Sequence, residues 1–481
     1  MTPDVEIPDL PAAEIARRVR ARELSPLDVL DACMERVERI NPRLNAVVTL
    51  NPRVHEEAAE VERRLSRGED LPLAGLPVGI KDVTEVAGVR TTYGSPIFAD
   101  HVPTKDALVV RRFRDAGAVI LGKTNTPEFA AGGNTFNPVF GRTRNPWNPE
   151  RSAGGSTGGG AVGLATGMIA LAQGTDLGGS LRIPASFCGV VGIRPSVGLV
   201  PTWPSEFLWD TYQVTGPMAR TAEDLALALQ AIAGPSDLAP LAQPVEGRDF
   251  AAAVRGGIPE GLRLAYCPDI AGIGIDTEVE RVCREGAFAL QEAGATVEEI
   301  ELDLSFARKP FLALRGLWFM AQLHPLLGRL EEFGANVRNN TRAGLETSME
   351  AVGAAEQARK RLWELFGQLF GEFDHLLTPT MAVPPFPVEE NYPRTVGGRE
   401  METYVDWIAP TFVLSMTGLP VGSVPAGLGL DGLPVGLQIV GRPRGEEGVL
   451  ALAVEVQRLR PLPRPPLLEF VTRADPEPER T

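Results

Sequence analysis

The sequence predicts an α/β protein, a largely parallel or mixed β-sheet covered by helices on both faces, and three observations predict it. Short apolar runs ending in glycine or polar residues recur from Leu76 onward: LPVGIKD, AVILGKT, IALAQGTD, VVGIRPS and LRLAYCPD. Helical patterns such as DALVVRRFRDAG and GGGAVGLATGM lie between several of them, and strands alternating with helices build parallel or mixed sheets. The 51 Gly and 42 Pro exceed the usual shares of roughly 7% and 5%, which suits a loop-rich chain better than a helical bundle.

The elements follow in order. Ser25 before Pro26 is a helix cap followed by proline at the first helical position, and Leu30, Cys33, Met34 and Val37 then repeat at helical spacing. The chain therefore opens with helices over residues 1–70. Residues 305–372 read as almost wholly helical, with Trp318, Phe319 and Met320 inside them; that stretch is either a helical cap lining a pocket or a set of core contacts. Strand signals return in GLPVGSVPAGLGLDGLPVGLQIVGRP, where Asp431-Gly432 between apolar runs predicts a hairpin. The acidic, proline-rich end, residues 471–481, is expected to be disordered. Length alone, 481 residues, points to two or three domains, because single cores stop growing at about 250–300 residues.

A net charge of -15 argues against direct nucleic-acid binding and against anionic membrane surfaces, since both depend on clustered Lys and Arg. Cys33, Cys188, Cys267 and Cys283 lack metal-ligand spacing and read as free, mostly buried thiols. No window reaches the roughly 18 apolar residues of a membrane span, and the N-terminus lacks a signal-peptide pattern. The expectation is a cytoplasmic protein with no cofactor and no metal.

Two motifs mislead. Gly117–Thr124, GAVILGKT, satisfies the phosphate-loop pattern, but its four spacer residues are strand formers rather than a glycine-rich loop whose amides turn inward. Gly154–Gly158, GGSTG, fits the nucleophile elbow of an α/β-hydrolase. The preceding RNPWNPERSA holds two prolines and makes a poor central strand, and the two downstream histidines, His324 and His375, read as surface or packed residues. With four His in the whole chain, a mechanism without histidine is worth seeking.

Residues 151–196 read RSAGGSTGGGAVGLATGMIALAQGTDLGGSLRIPASFCGVVGIRPS. Two glycine-flanked serines, Ser156 and Ser180, lie 24 residues apart, with helix and strand patterns between them that can return the chain to one site. This segment closely resembles the defining stretch of the amidase signature family. LPVGIKDV around Lys81 resembles the family's lysine segment, GAVILGKTNTPEF its following strand and helix, and DGLPVGLQIVGRP its C-terminal hairpin. The likeness spans roughly residues 10–460, with residues 71–235 as the signature core and 236–470 as the remainder. It implies one large domain with a twisted mixed sheet between helices.

By position, Ser180 matches the family's nucleophile, Ser156 its bridging serine on a cis peptide, and Lys81 its base. Leu177, Gly178, Gly179 and Ser180 would supply the oxyanion-hole amides, and Thr175, Asp176 and Arg182 would support the loop, although capping roles suit these three equally. The chemistry demands a neutral lysine, so burial after the apolar run must lower its pKa. Without the resemblance, Lys81 could equally be ion-paired with Asp82 or Asp176.

The resemblance implies an amidase acting on small amides, and on esters or carbamates; a homodimer is the default expectation for a soluble chain. Gly132, Gly133, Asn134, Phe207, Trp209 and Trp318 are the expected pocket residues. The alternative is a glutaminase subunit of a tRNA-dependent amidotransferase. In such glutaminases an aspartate ten residues before Gly-Leu-Pro holds glutamine, and here that position is Ile408, with Asp406 nearby. A catalytically silent binding protein is disfavoured by the intact Lys81, Ser156 and Ser180.

Overall fold

Eleven strands form one sheet in the computed structural model, which describes residues 6–468. The segment expected to be disordered, 471–481, lies outside the described residues. In chain order the strands are β1 (Val47–Leu50), β2 (Pro77–Lys81), β3 (Val119–Thr124), β4 (Leu171–Asp176), β5 (Val191–Arg194), β6 (Val214–Ala219), β7 (Arg263–Tyr266), β8 (Thr296–Glu299), β9 (His375–Pro379), β10 (Val421–Leu428) and β11 (Pro434–Val440). They lie side by side as β1-β3-β2-β4-β6-β5-β10-β11-β9-β7-β8. The pairs β2 with β3, β2 with β4, β7 with β8 and β7 with β9 are parallel and the rest antiparallel, so the sheet is mixed. Central strands β2, β3 and β4 are buried at every residue, as a sheet covered on both faces requires. One continuous sheet replaces the several domains that length suggested.

Local chemistry sets the ends of the elements. Ser25 and Asp28 form a reciprocal capping box at the start of helix Pro26–Leu44. Asp431 Oδ1 accepts from Leu433 N at 3.1 Å and Gly432 takes φ +75° in the turn between β10 and β11, the expected hairpin. Residues 305–372 are chiefly helical, with Arg308–Leu323, Ala335–Glu346 and Met349–Glu372 as the long helices. Helix Gly158–Ala165 is buried along its whole length. Its glycine start has a steric cause: a Cβ on Gly158 would lie 2.3 Å from Thr135 Oγ1, and one on Gly159 2.3 Å from Asn125 N.

Candidate active site

The parallel register of β2 and β4 brings Lys81, the last residue of β2, beside Thr175 near the end of β4. Ligand sites in open α/β sheets form at such carboxyl ends. Lys81 is fully buried. Its Nζ donates to Ser156 Oγ at 2.7 Å and to Thr175 Oγ1 at 2.9 Å. Burial drives the amine's pKa down to about 7, against a weaker upward pull from Asp176. Neither candidate ion pair forms. Asp82 faces Lys123, with Nζ 3.5 Å from Oδ1, and Asp176 faces two arginines.

Ser156 follows a cis Gly155–Ser156 peptide and is buried. Ser180 is partly accessible and lines a small recess with Gly132, Gly133, Gly155 and Gly178. The amide of Thr157 donates to the carbonyl of Ser180 at 3.2 Å, so the two serine segments are tied together. The resemblance to the family implies four amides for the oxyanion hole, and they differ in their partners here. Gly179 N donates to Asp176 Oδ1 at 2.9 Å and is occupied by that carboxylate. Among the described residues, the amides of Leu177, Gly178 and Ser180 meet no protein acceptor. Gly179 sits at φ +119°, and a Cβ there would lie 2.3 Å from Thr411 Oγ1. The fold therefore requires glycine at this position.

Asp176 organises the loop after β4. It accepts from Gly179 N, from Leu181 N at 3.2 Å, and from Arg182 Nε at 3.0 Å and Nη2 at 2.9 Å. Arg194 stands 3.5 Å away. All three side chains are sealed from solvent, and the guanidinium groups, outweighing the effect of burial, hold the carboxyl at about 2. Arg182 also donates to Thr411 O, Gln438 Oε1 and Ser415 Oγ, which fixes the loop to helix Ala409–Ser415 and to β11.

Beside the Ser180 recess lies a chamber of about 380 Å³, within the roughly 300–1,000 Å³ range of small-molecule pockets. The two share Phe129, Ala130, Thr175, Gln213, Trp318 and Phe319. Trp318 lines both cavities, held by donation from Nε1 to Asp210 Oδ2 at 2.7 Å, and it also packs in a hydrophobic cluster with Phe319. Asn134 and Trp209, among the expected pocket residues, stand elsewhere. Asn134 is buried in a bonding network, donating to Val388 O and Glu390 O and accepting from Ser152 Oγ. Phe207 lines an adjoining depression that shares Pro201, Thr202, Ser205 and Gln213 with the chamber, and Trp209 is 67% exposed because its loop carries it into solvent.

The sequence reading missed Tyr93, Phe98, Phe129 and Trp203, which line the chamber. Positive φ at Phe129 (47°) and Ala130 (58°) turns their loop toward Ser180; non-glycine residues in that region often mark functional sites, and PEFAAGG contains no signal for it. The misleading motifs resolve as expected. GAVILGKT contains β3, with Lys123 donating to Thr91 Oγ1 at 2.8 Å. His324 is exposed, and burial of His375 in β9 takes its pKa to about 4. Ile408 lines the Ser180 recess, whereas Asp406 is buried outside it, 2.5 Å from Arg308 Nη2 and accepting from Thr403 N. The four cysteines are free and buried, and no helix among the described residues is long and apolar enough to cross a membrane.

Comparison with known proteins adds to this geometry. A family model described as Amidase matches residues 28–450. An acylamidase of Rhodococcus erythropolis is 36% identical over 464 residues, 94% of this chain and 96% of its own length. A glutamyl-tRNA(Gln) amidotransferase subunit of Carboxydothermus hydrogenoformans is 34% identical over 93% of this chain and 97% of its own. The crystal structure of a bacterial aryl acylamidase of the amidase signature family superposes with a TM-score of 0.89 at 28% identity, covering 97% of this chain and 99% of that one.

Proposed function

The chain belongs to the Amidase family and is an amidohydrolase that cleaves C–N bonds of carboxylic amides; we propose that it works through an acyl-enzyme on Ser180. Ser180 Oγ attacks the carbonyl carbon while its proton passes to Ser156 and the Ser156 proton to the neutral Lys81. The amides of Leu177, Gly178 and Ser180 stabilise the oxyanion, each donor commonly contributing about 3 kcal/mol. Collapse of the tetrahedral intermediate expels the amine, which takes a proton from Ser156, and Lys81 returns its proton to Ser156. Water then attacks the ester carbonyl by the same relay and releases the acid. The observation that carries the reading is the buried Lys81 amine, 2.7 Å from Ser156 Oγ and without a carboxylate partner.

Small amides are the substrates proposed for the chamber, with esters and carbamates accepted by the same acyl chemistry. The second reading, a glutaminase that works within a larger assembly, draws on the likeness to the amidotransferase protein. Against it stands Asp406, engaged by Arg308. A fluorophosphonate probe followed by peptide mapping tests the mechanism. The adduct is expected on Ser180, with labelling lost in Ser180→Ala and slowed in Ser156→Ala. An adduct on Ser156, or full labelling of Ser180→Ala, refutes the assignment. Hydrolysis of simple anilides by the isolated chain separates the amidase from a component that is active only with its partners.

A further inference from the structure

The walls of the chamber carry a chemical preference of their own. Tyr93, Phe98, Phe129, Trp203, Trp318 and Phe319 give it aromatic sides. Tyr93 stacks on Phe129 with centroids 5.5 Å apart and meets Phe98 edge-on at 5.2 Å. Into this aromatic space come two carboxylates, Glu85 and Glu206, and one imidazole, His101. Among the described residues no Lys or Arg lines the chamber; the guanidinium of Arg111, 5.1 Å from the Trp203 ring centroid, is not among its walls. Glu85 is held in place. Tyr93 Oη donates to its Oε1 at 3.0 Å, and His101 Nε2 stands 3.7 Å from the same oxygen. Its side chain is 25% exposed, so part of the carboxylate is left to meet a ligand.

Aromatic faces attract cations through their quadrupoles, and fixed carboxylates add to that attraction while repelling anions. We propose that Glu85, assisted by Glu206, selects amides whose end remote from the scissile bond carries a protonated amine and rejects those ending in a carboxylate. This rests on the acyl-enzyme reading above, because Thr175 and Phe129 line both the chamber and the Ser180 recess.

Two matched substrate series test it. One holds anilides of ω-amino, ω-methyl and ω-carboxy acids of several chain lengths; the other holds benzoyl amides with the same three termini on the amine side. The intact enzyme is expected to favour amine over methyl and methyl over carboxylate in kcat/KM in at least one series. The amine-to-methyl ratio should fall about tenfold in Glu85→Gln, as expected for charges about 6 Å apart in an effective dielectric of about 40. Using the ratio cancels losses common to both substrates, and Gln keeps an acceptor for Tyr93. Methyl-terminated substrates cleaved through Ser180 with no preference for amines in either series, or a ratio unmoved in the Glu85→Gln/Glu206→Gln double variant, overturn the selection by charge alone. Failure to cleave any member, with no acylation of Ser180, overturns the proposed mechanism instead.

Discussion

If Lys81 is the base, pH must move activity and stability in directions fixed by one group. The amine's pKa lies at about 7 in the folded protein rather than at 10.5, a penalty of about 5 kcal/mol on its charged form. Only the neutral amine accepts a proton, so kcat/KM should rise tenfold per pH unit below the midpoint and level off above pH about 7. The stability sign follows from proton counting. Between the folded value and the unfolded value near 10.4 the unfolded chain binds more protons, so the penalty is complete below pH 7 and vanishes as pH passes 10.4. This single group should raise folding stability by about 2 kcal/mol between pH 7 and pH 9. Urea unfolding of the wild type and Lys81→Met at both pH values isolates it, because other titrations cancel on subtraction; the difference in slope should match, and the variant should lose the activity midpoint. A flat kcat/KM from pH 5.5 to 8.5 with acylation rate-limiting, or identical pH slopes for the two proteins, refutes a neutral buried lysine.

Other perturbations have outcomes set by packing and charge. Asp176→Asn leaves Arg182 and Arg194 buried without their anion and should lower stability by about 3–5 kcal/mol in urea melts; a loss below about 1 kcal/mol would show that the cluster is relaxed by other contacts. Gly179→Ala forces a Cβ to within 2.3 Å of Thr411 Oγ1 at φ +119° and should reduce kcat at least about a hundredfold. Wild-type kcat with an unchanged melting temperature would contradict that geometry. No group of three or more His, Cys, Asp or Glu among the described residues could hold a metal ion, so activity should survive exhaustive EDTA dialysis, and a loss reversed by zinc or magnesium counts against the mechanism.

Residues whose role is set by backbone and neighbours close in sequence were legible in advance. The strand ending at Lys81, the glycine-flanked serines and the turn at Asp431-Gly432 all leave local marks, and each lies where its pattern placed it. Burial of Lys81 could be inferred from the run before it, because a strand inside a covered sheet has no wet face. The chamber was not legible, since its walls come from segments near residues 93, 129, 203 and 318 that meet only in the folded chain. Asn134 shows the same limit: its partners, Val388 and Glu390, lie about 250 residues away. Trp209 and Trp318 are both tryptophans in apolar contexts, yet one faces solvent from a loop and the other the pocket from helix Arg308–Leu323, because the path of the chain rather than residue type decided exposure. The bond from Gly179 N to Asp176 was not legible either, because a glycine-rich turn reveals available amides but not which acceptor one of them meets.

The sealed cluster beside Lys81 holds two guanidinium groups against the one carboxylate of Asp176. With the lysine neutral, that dry region carries a single surplus positive charge. In the proposed relay the amine becomes cationic as the tetrahedral oxygen becomes anionic, so the surplus stays the same from ground state to intermediate. The protein around it therefore has little need to reorient its dipoles as charge separates, and this matters most where no water is present to do so. A cationic lysine at rest would place three positive charges against one. Burial, working against the weaker pull of Asp176, is what favours the form of Lys81 able to take a proton.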